Sequence, residues 1–159
     1  MTTLLVLRHG KAGESDLGDR ERELTSRGRH DATQIAKIIA ERGLEPERIV
    51  TSSAARAKET ARRVAVQLDF TGALDELDEL YLAEPPRYIE AVARLGGAAE
   101  RVLVVGHNPG LEQLVELLTG KHVTLKTAAL AVCSLACASF SELGPETRGS
   151  LAGLYTPED

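Results

Sequence analysis

The feature of this sequence that most limits its fold is a regular alternation between short apolar runs and longer segments with apolar residues at helical spacing. Continuous apolar runs, such as LLVL at residues 4–7, are typical of strands buried on both faces of a sheet. The i, i+3, i+4, i+7 spacing that begins at Ala32 places apolar side chains on one face of a helix. The same reasoning predicts strands at residues 48–51 and 102–105, and helices around residues 57–68, 86–95 and 111–118.

Strands that alternate with helices favour right-handed crossover connections and a mostly parallel sheet covered by helices on both faces. The end of the chain differs, because residues 130–138 and 150–155 are both strand-like and enclose the turn sequence ELGPE. This pattern predicts a C-terminal antiparallel hairpin. With 159 residues, the chain is expected to form one domain over residues 1–159. The predicted fold class is therefore α/β, a three-layer α/β/α sandwich.

Charge and composition exclude several classes of protein. The 19 Lys and Arg residues are outnumbered by 24 Asp and Glu residues, which argues against a surface built for nucleic acid. No apolar segment approaches the length of a membrane span, and the N-terminus lacks the pattern of a signal peptide. The two cysteines, Cys133 and Cys137, are interpreted as reduced core residues, and no metal-ligand set is recognised. We expect a cytoplasmic protein with no nucleic-acid or membrane partner.

Residues with cationic potential follow each of the three clear strands. The first strand ends in Arg8-His9-Gly10, Arg56 follows the second strand, and His107 follows the third. Because the carboxyl ends of parallel strands meet at one edge of a sheet, we expect these side chains to converge there. Arginine forks and helix N-termini at that edge suit a dianion such as a phosphoryl group.

A pair of histidines beside a pair of arginines indicates covalent chemistry as well as binding. A neutral imidazole is a good nucleophile toward phosphorus, and a phosphohistidine intermediate would divide hydrolysis into two displacements. The second histidine, if protonated, would hold the equatorial oxygens of the transferring group together with the arginines. Each motif alone has an ordinary explanation as a turn, a packed residue or an exposed helix residue. Their joint placement carries the hypothesis.

These motifs resemble those of the histidine phosphatase superfamily, which includes the phosphoglycerate mutases, and the resemblance covers essentially the whole chain. The matching segments are RHG at residues 8–10, LTSRG at 24–28, SSAARAKET at 52–60 and VVGHNP at 104–109. The short length and the stretch DRERELTSRG at residues 19–28 are similar to the SixA-type phosphohistidine phosphatases. The resemblance implies a phosphoglycerate mutase-like fold and no cofactor.

The resemblance also implies roles for individual residues. It makes His9 the phosphate-accepting nucleophile, and it assigns phosphate binding to Arg8, Arg56, His107 and the backbone N–H of Asn108. Arg22 and Thr127 would line the substrate pocket, and Glu79 is the candidate general acid. An alternative explanation of Glu79 is that it is one more exposed carboxylate in the acidic run 75–79. The segment KAGE at residues 11–14 departs from the mutase pattern and argues against mutase activity.

The sequence therefore predicts a metal-independent histidine phosphatase that hydrolyses a phosphoryl group through a covalent intermediate on His9. Its substrate would be phosphohistidine on a protein or a small phosphomonoester, and the sequence does not choose between them. The alternative is a non-catalytic module that binds a phosphorylated ligand in the same pocket. A nucleotide-binding domain is disfavoured because neither nucleotide-binding glycine motif occurs. The sequence does not determine the oligomeric state, and a monomer is one of the possibilities.

Overall fold

A computed structural model describes all residues from Met1 to Asp159. Its six strands are β1 Thr2–Arg8, β2 Arg48–Ser52, β3 Ala73–Leu77, β4 Arg101–Gly106, β5 Leu130–Leu135 and β6 Gly149–Tyr155. Its four α-helices are α1 Ser26–Glu41, α2 Ala55–Gln67, α3 Pro85–Gly96 and α4 Gly110–Thr119. None of these helices is both long and apolar enough to cross a lipid bilayer.

The strands form one mixed sheet in the order β3-β2-β4-β1-β5-β6. The first four strands in this order are mutually parallel, whereas β5 is antiparallel to both β1 and β6. The predicted α/β class with a C-terminal hairpin is therefore confirmed. The carboxyl ends of β1, β2 and β4 lie side by side at one edge of the sheet, because β4 pairs in register with both neighbours.

Two apolar cores cover the two faces of the sheet. Residues alternate between the cores along β1, so that Leu4 and Val6 pack with α3 and α4 while Leu5 and Leu7 pack with α1 and α2. This division explains the continuous apolar runs, because every side chain of a doubly covered strand is buried. Local sequence explains where α1 begins and where α4 ends. Thr25 caps α1 by accepting a hydrogen bond from the Gly28 N–H, and Gly120 ends α4 in a left-handed conformation.

The third strand, Ala73–Leu77, is the one strand that the sequence pattern did not predict. It pairs with β2 alone and lies at the edge of the sheet, where its side chains are half-buried or exposed. One of its carboxylates, Asp75, forms an ion pair with Arg48 of β2 at 2.9 Å. An edge strand of this kind carries no apolar run, which is why residues 73–77 resemble an irregular acidic stretch in the sequence.

Candidate functional site

The imidazole of His9 lies immediately after β1 and is 8% exposed. Its Nδ1 is 2.7 Å from the carbonyl oxygen of Gly10. Because a carbonyl can only accept, Nδ1 carries the proton and Nε2 retains its lone pair. Burial, together with the nearby Arg56 and Arg8 cations, lowers the pKa of His9 to about 4. At neutral pH the ring is therefore an uncharged imidazole with a nucleophilic Nε2.

The guanidinium of Arg56 lies directly beside this nitrogen. Arg56 is in the first turn of α2, is 3% exposed, and its Nε is 3.3 Å from His9 Nε2. Its two terminal nitrogens donate to Asp19, one to the backbone oxygen at 2.7 Å and one to the carboxylate at 3.0 Å. The side chain of Thr60 connects the two segments further, because it accepts from the Gly10 N–H and donates to the Arg56 carbonyl. The His9 imidazole and the Arg56 guanidinium are thus held in one rigid arrangement.

The second histidine completes the cluster from β4. The ring centroid of His107 is 5.3 Å from that of His9, and the residue is 1% exposed. Its Nε2 is 2.8 Å from Ser52 Oγ, and its backbone N–H donates to the Tyr88 hydroxyl at 3.1 Å. Burial, together with the neighbouring His9 and Arg56, lowers the pKa of His107 to about 3. The sequence argument used a protonated second histidine, but the buried ring beside cations is neutral in this structure.

Arg8 and Asn108 meet at the loop between α4 and β5. Arg8 Nη1 and Asn108 Nδ2 both donate to the Leu125 carbonyl oxygen, at 3.1 Å and 2.8 Å. This contact fixes the ends of β1 and β4 against the same carbonyl. The structure records the side chain of Asn108 in this contact, and the predicted role of its backbone N–H stays a prediction.

Buried polar atoms without a partner are concentrated in this cluster. In the whole chain only three buried side-chain nitrogen or oxygen atoms lack a hydrogen bond, and they are Arg8 Nε, His107 Nδ1 and Asn108 Oδ1. An unpaired buried polar group is costly and uncommon in folded proteins. All three belong to motif residues at the carboxyl ends of β1 and β4. This concentration is typical of a site whose remaining partners come from a bound molecule.

The structure treats the other three predicted residues differently. Arg22 reaches the cluster indirectly, because it donates to the Asp19 carboxylate at 3.1 Å while its Nε binds the Gly13 carbonyl. Glu79 is instead paired with Arg94 at 2.9 Å and makes no hydrogen bond to the cluster. Thr127 borders a surface cavity that contains none of the clustered histidines or arginines. The structure therefore links Arg22 to the cluster through Asp19 and pairs Glu79 with Arg94, and the predicted pocket roles of Arg22, Glu79 and Thr127 stay predictions.

Three contributors were missed from the sequence, namely Asp19, Tyr81 and Ser52. Asp19 binds Arg56 and Arg22, and the Tyr81 hydroxyl donates to its carboxylate. These contacts, that of Tyr81 first, hold the pKa of Asp19 well below its usual range, so that it is an anion at all relevant pH values. The Tyr81 ring also packs edge-on against His107, at a centroid distance of 5.5 Å.

Weak sequence signals for these three residues existed. Asp19 opens the DRERELT segment, and Ser52 opens the SSAARAKET segment. Tyr81 follows the acidic run at residues 75–79. Nothing in the sequence, however, indicates which side chains they contact. No set of three His, Cys, Asp or Glu side chains in the chain is grouped as a metal site.

Comparison with known proteins shows the family of the chain. Residues 4–84, which contain His9, Arg56, most of β1 and all of β2 and β3, match the family model of the histidine phosphatase superfamily, branch 1. The chain belongs to the histidine phosphatase superfamily. Phosphohistidine phosphatase SixA of Escherichia coli K12 is 29% identical, with 83% of this chain and 84% of the relative covered.

Solved structures place the chain in the SixA-type branch of this superfamily. The protein histidine phosphatase SixA complexed with tungstate is 25% identical, with a TM-score of 0.78 and coverage of 98% of this chain and 97% of that one. A structure attributed to SixA from Agrobacterium tumefaciens is 27% identical, with a TM-score of 0.81 and 98% of both chains covered. The fold is therefore phosphoglycerate mutase-like, and the superfamily supports phosphatase activity.

Proposed function

We propose that this histidine phosphatase superfamily member hydrolyses phosphoryl groups without a metal, through a covalent phosphohistidine on His9. The observation that carries the proposal is the state of His9, a neutral ring whose Nδ1 proton is donated to the Gly10 carbonyl and whose unprotonated Nε2 accepts a long hydrogen bond from Arg56 Nε at 3.3 Å. Arg8, Arg56 and His107 would supply the N–H donors for the phosphoryl oxygens. We further propose that residues 1–159 act as one catalytic domain.

Two balanced displacements follow from this arrangement. In the first, His9 Nε2 forms a bond to phosphorus while the bond to the leaving group breaks. The leaving group departs with that electron pair, and a phosphohistidine substrate releases a neutral imidazole because its other ring nitrogen already carries the proton. In the second, a water oxygen attacks phosphorus, the Nε2–phosphorus bond breaks with its electron pair returning to Nε2, and inorganic phosphate leaves with the protons of the water. The developing negative charge is spread over oxygens that face fixed cationic and N–H donors, which need no reorganisation during the reaction.

The proton supply favours phosphohistidine on a protein over an alkyl phosphomonoester. An alkoxide leaving group needs a proton from an acid in the site. An imidazole leaving group needs no such acid, because a proton on its other ring nitrogen lets it leave as a neutral molecule. The carboxyl group in contact with the cluster, Asp19, is held in its anionic form, and Glu79 is engaged by Arg94. The naming of the SixA relatives as phosphohistidine phosphatases supports the same substrate class.

The test is brief exposure of the protein to a ³²P-labelled phosphohistidine protein, followed by denaturation. We expect acid-labile, base-stable label on the wild-type chain and no label or turnover with His9→Asn. His122→Asn is the matched control, because that side chain is 81% exposed on the surface, where its Nδ1 lies 3.5 Å from Glu116; its labelling should be unchanged. Turnover retained by His9→Asn would refute the nucleophile assignment.

Two further outcomes separate this proposal from its alternatives. Binding of the phosphorylated protein with no turnover by the wild-type chain would identify a non-catalytic binding module. A rate that falls on treatment with EDTA and recovers with added metal would contradict the metal-independent mechanism. We expect the same rate with and without the chelator.

A further inference from the structure

The hydroxyl of Ser52 lies in a position to control the protonation of His107. Ser52 is the last residue of β2, is fully buried, and its Oγ is 2.8 Å from His107 Nε2. The same oxygen accepts a hydrogen bond from the Ala54 N–H at 3.2 Å. A serine hydroxyl has one proton to donate, and His107 Nε2 is the one acceptor that the structure places within its reach.

The two neutral tautomers of His107 satisfy this network to different extents. With the proton on Nε2, the ring donates to Ser52, the serine proton has no acceptor, and Nδ1 is a bare buried lone pair. With the proton on Nδ1, Ser52 donates to Nε2, and the Nδ1 N–H is the one group still without a partner in the protein. Because each unpaired buried polar group is destabilising, the second tautomer is favoured.

We propose that Ser52 is a positioning residue that keeps His107 in the Nδ1–H tautomer, so that the ring offers an N–H to the phosphoryl group. The role in catalysis rests on the proposed function. A neutral histidine has one N–H, and that N–H stabilises a phosphoryl oxygen only if it is on the nitrogen that the protein leaves unpaired. The position of the proton matters because the low pKa of His107 leaves the ring with a single N–H, whereas a doubly protonated ring would donate from both nitrogens.

The test is long-range ¹H–¹⁵N correlation spectroscopy of the ligand-free, ¹⁵N-histidine-labelled chain at pH 7. The spectrum shows directly which ring nitrogen carries the proton, and a His107→Gln variant identifies the His107 signals among the four histidines. We expect a protonated Nδ1 and an unprotonated Nε2 in the wild type. A proton on Nε2, or on both nitrogens, overturns the proposal whether or not the protein is an active phosphatase.

Variants of Ser52 test its role separately. In Ser52→Ala, His107 should populate both tautomers, and kcat should fall roughly 10- to 100-fold, as expected for weakening one transition-state donor. Ser52→Thr keeps the hydroxyl and should restore the Nδ1–H tautomer. Ser53→Ala is the matched control, because the neighbouring hydroxyl contacts Arg20 and Asp78. An unchanged Nδ1–H tautomer in Ser52→Ala would show that Ser52 does not set the proton position.

The two proposals fail in different ways. If the wild-type chain has the Nδ1–H tautomer but turns over no phosphorylated substrate, the proposed function is wrong and the tautomer assignment stands. If the chain is an active phosphatase with His107 protonated on Nε2, the assignment to Ser52 is wrong and the function stands.

Discussion

The buried histidines make the stability of the fold depend on pH in a defined window. His9 and His107 have pKa values of about 4 and about 3 in the folded chain, whereas an unfolded histidine titrates near 6.5. At pH values between the folded and unfolded pKa values, the two histidines are protonated in the unfolded chain but neutral in the folded chain. The free energy of unfolding therefore falls as pH decreases. The stability from this source is complete above about pH 6.5 and decreases below it.

The size of the change in the free energy of unfolding depends on how many pH units lie between the unfolded pKa and the final pH. Each histidine contributes about 1.4 kcal/mol per pH unit below about 6.5, which gives about 2 kcal/mol between pH 8 and pH 5. The two histidines together should lower the free energy of unfolding by about 4 kcal/mol. This is a large fraction of the total stability of an ordinary domain.

The measurement is urea unfolding followed by circular dichroism at pH 8, 6.5 and 5 in phosphate-free buffer. His107→Gln should lose about half of the pH dependence, and the double variant with His9→Gln should lose most of it, whatever their absolute stabilities. Equal stability of the wild type at pH 8 and pH 5 would refute the reasoning. The same would follow if the wild type and the double variant showed equal pH dependence.

The remaining predictions concern ligand affinity and packing. Arg56→Ala should weaken vanadate binding about 10- to 100-fold by calorimetry, because charged hydrogen bonds are lost; unchanged affinity would remove Arg56 from the anion site. Asp19→Asn should tighten vanadate binding by roughly several-fold, because the substitution removes a carboxylate that competes with vanadate for Arg56. Weaker binding would mean that Asp19 mainly orients the guanidinium. Gly106→Ala should cost about 1–3 kcal/mol in urea unfolding, because a Cβ there overlaps the Tyr88 hydroxyl. Gly144→Ala, where a Cβ meets nothing, is its control, and equal stability of the two variants would contradict the packing argument.

The central strands and the helices could be predicted from the sequence because their cause is local. A strand buried on both faces is rich in consecutive apolar residues, and β1, β2 and β4 show this directly in LLVL, IV and VLVV. An edge strand has no such requirement, and residues 73–77 were missed for that reason. Convergence of the motifs that follow β1, β2 and β4 was likewise predictable, because parallel strands bring their carboxyl ends to one edge.

The finer chemistry of the site depends on contacts between residues that are far apart in the chain. Arg56 and Asp19 are 37 residues apart, and His107 and Ser52 are 55 apart. The sequence determined which residue types reach the sheet edge, because the hydrophobic pattern locates the buried strands and the motifs stand at their carboxyl ends. Only the tertiary structure decided that Asp19 binds the guanidinium, that Glu79 pairs with Arg94, and that both histidines are neutral. Burial and charged neighbours set these outcomes, and both are properties of the packed molecule.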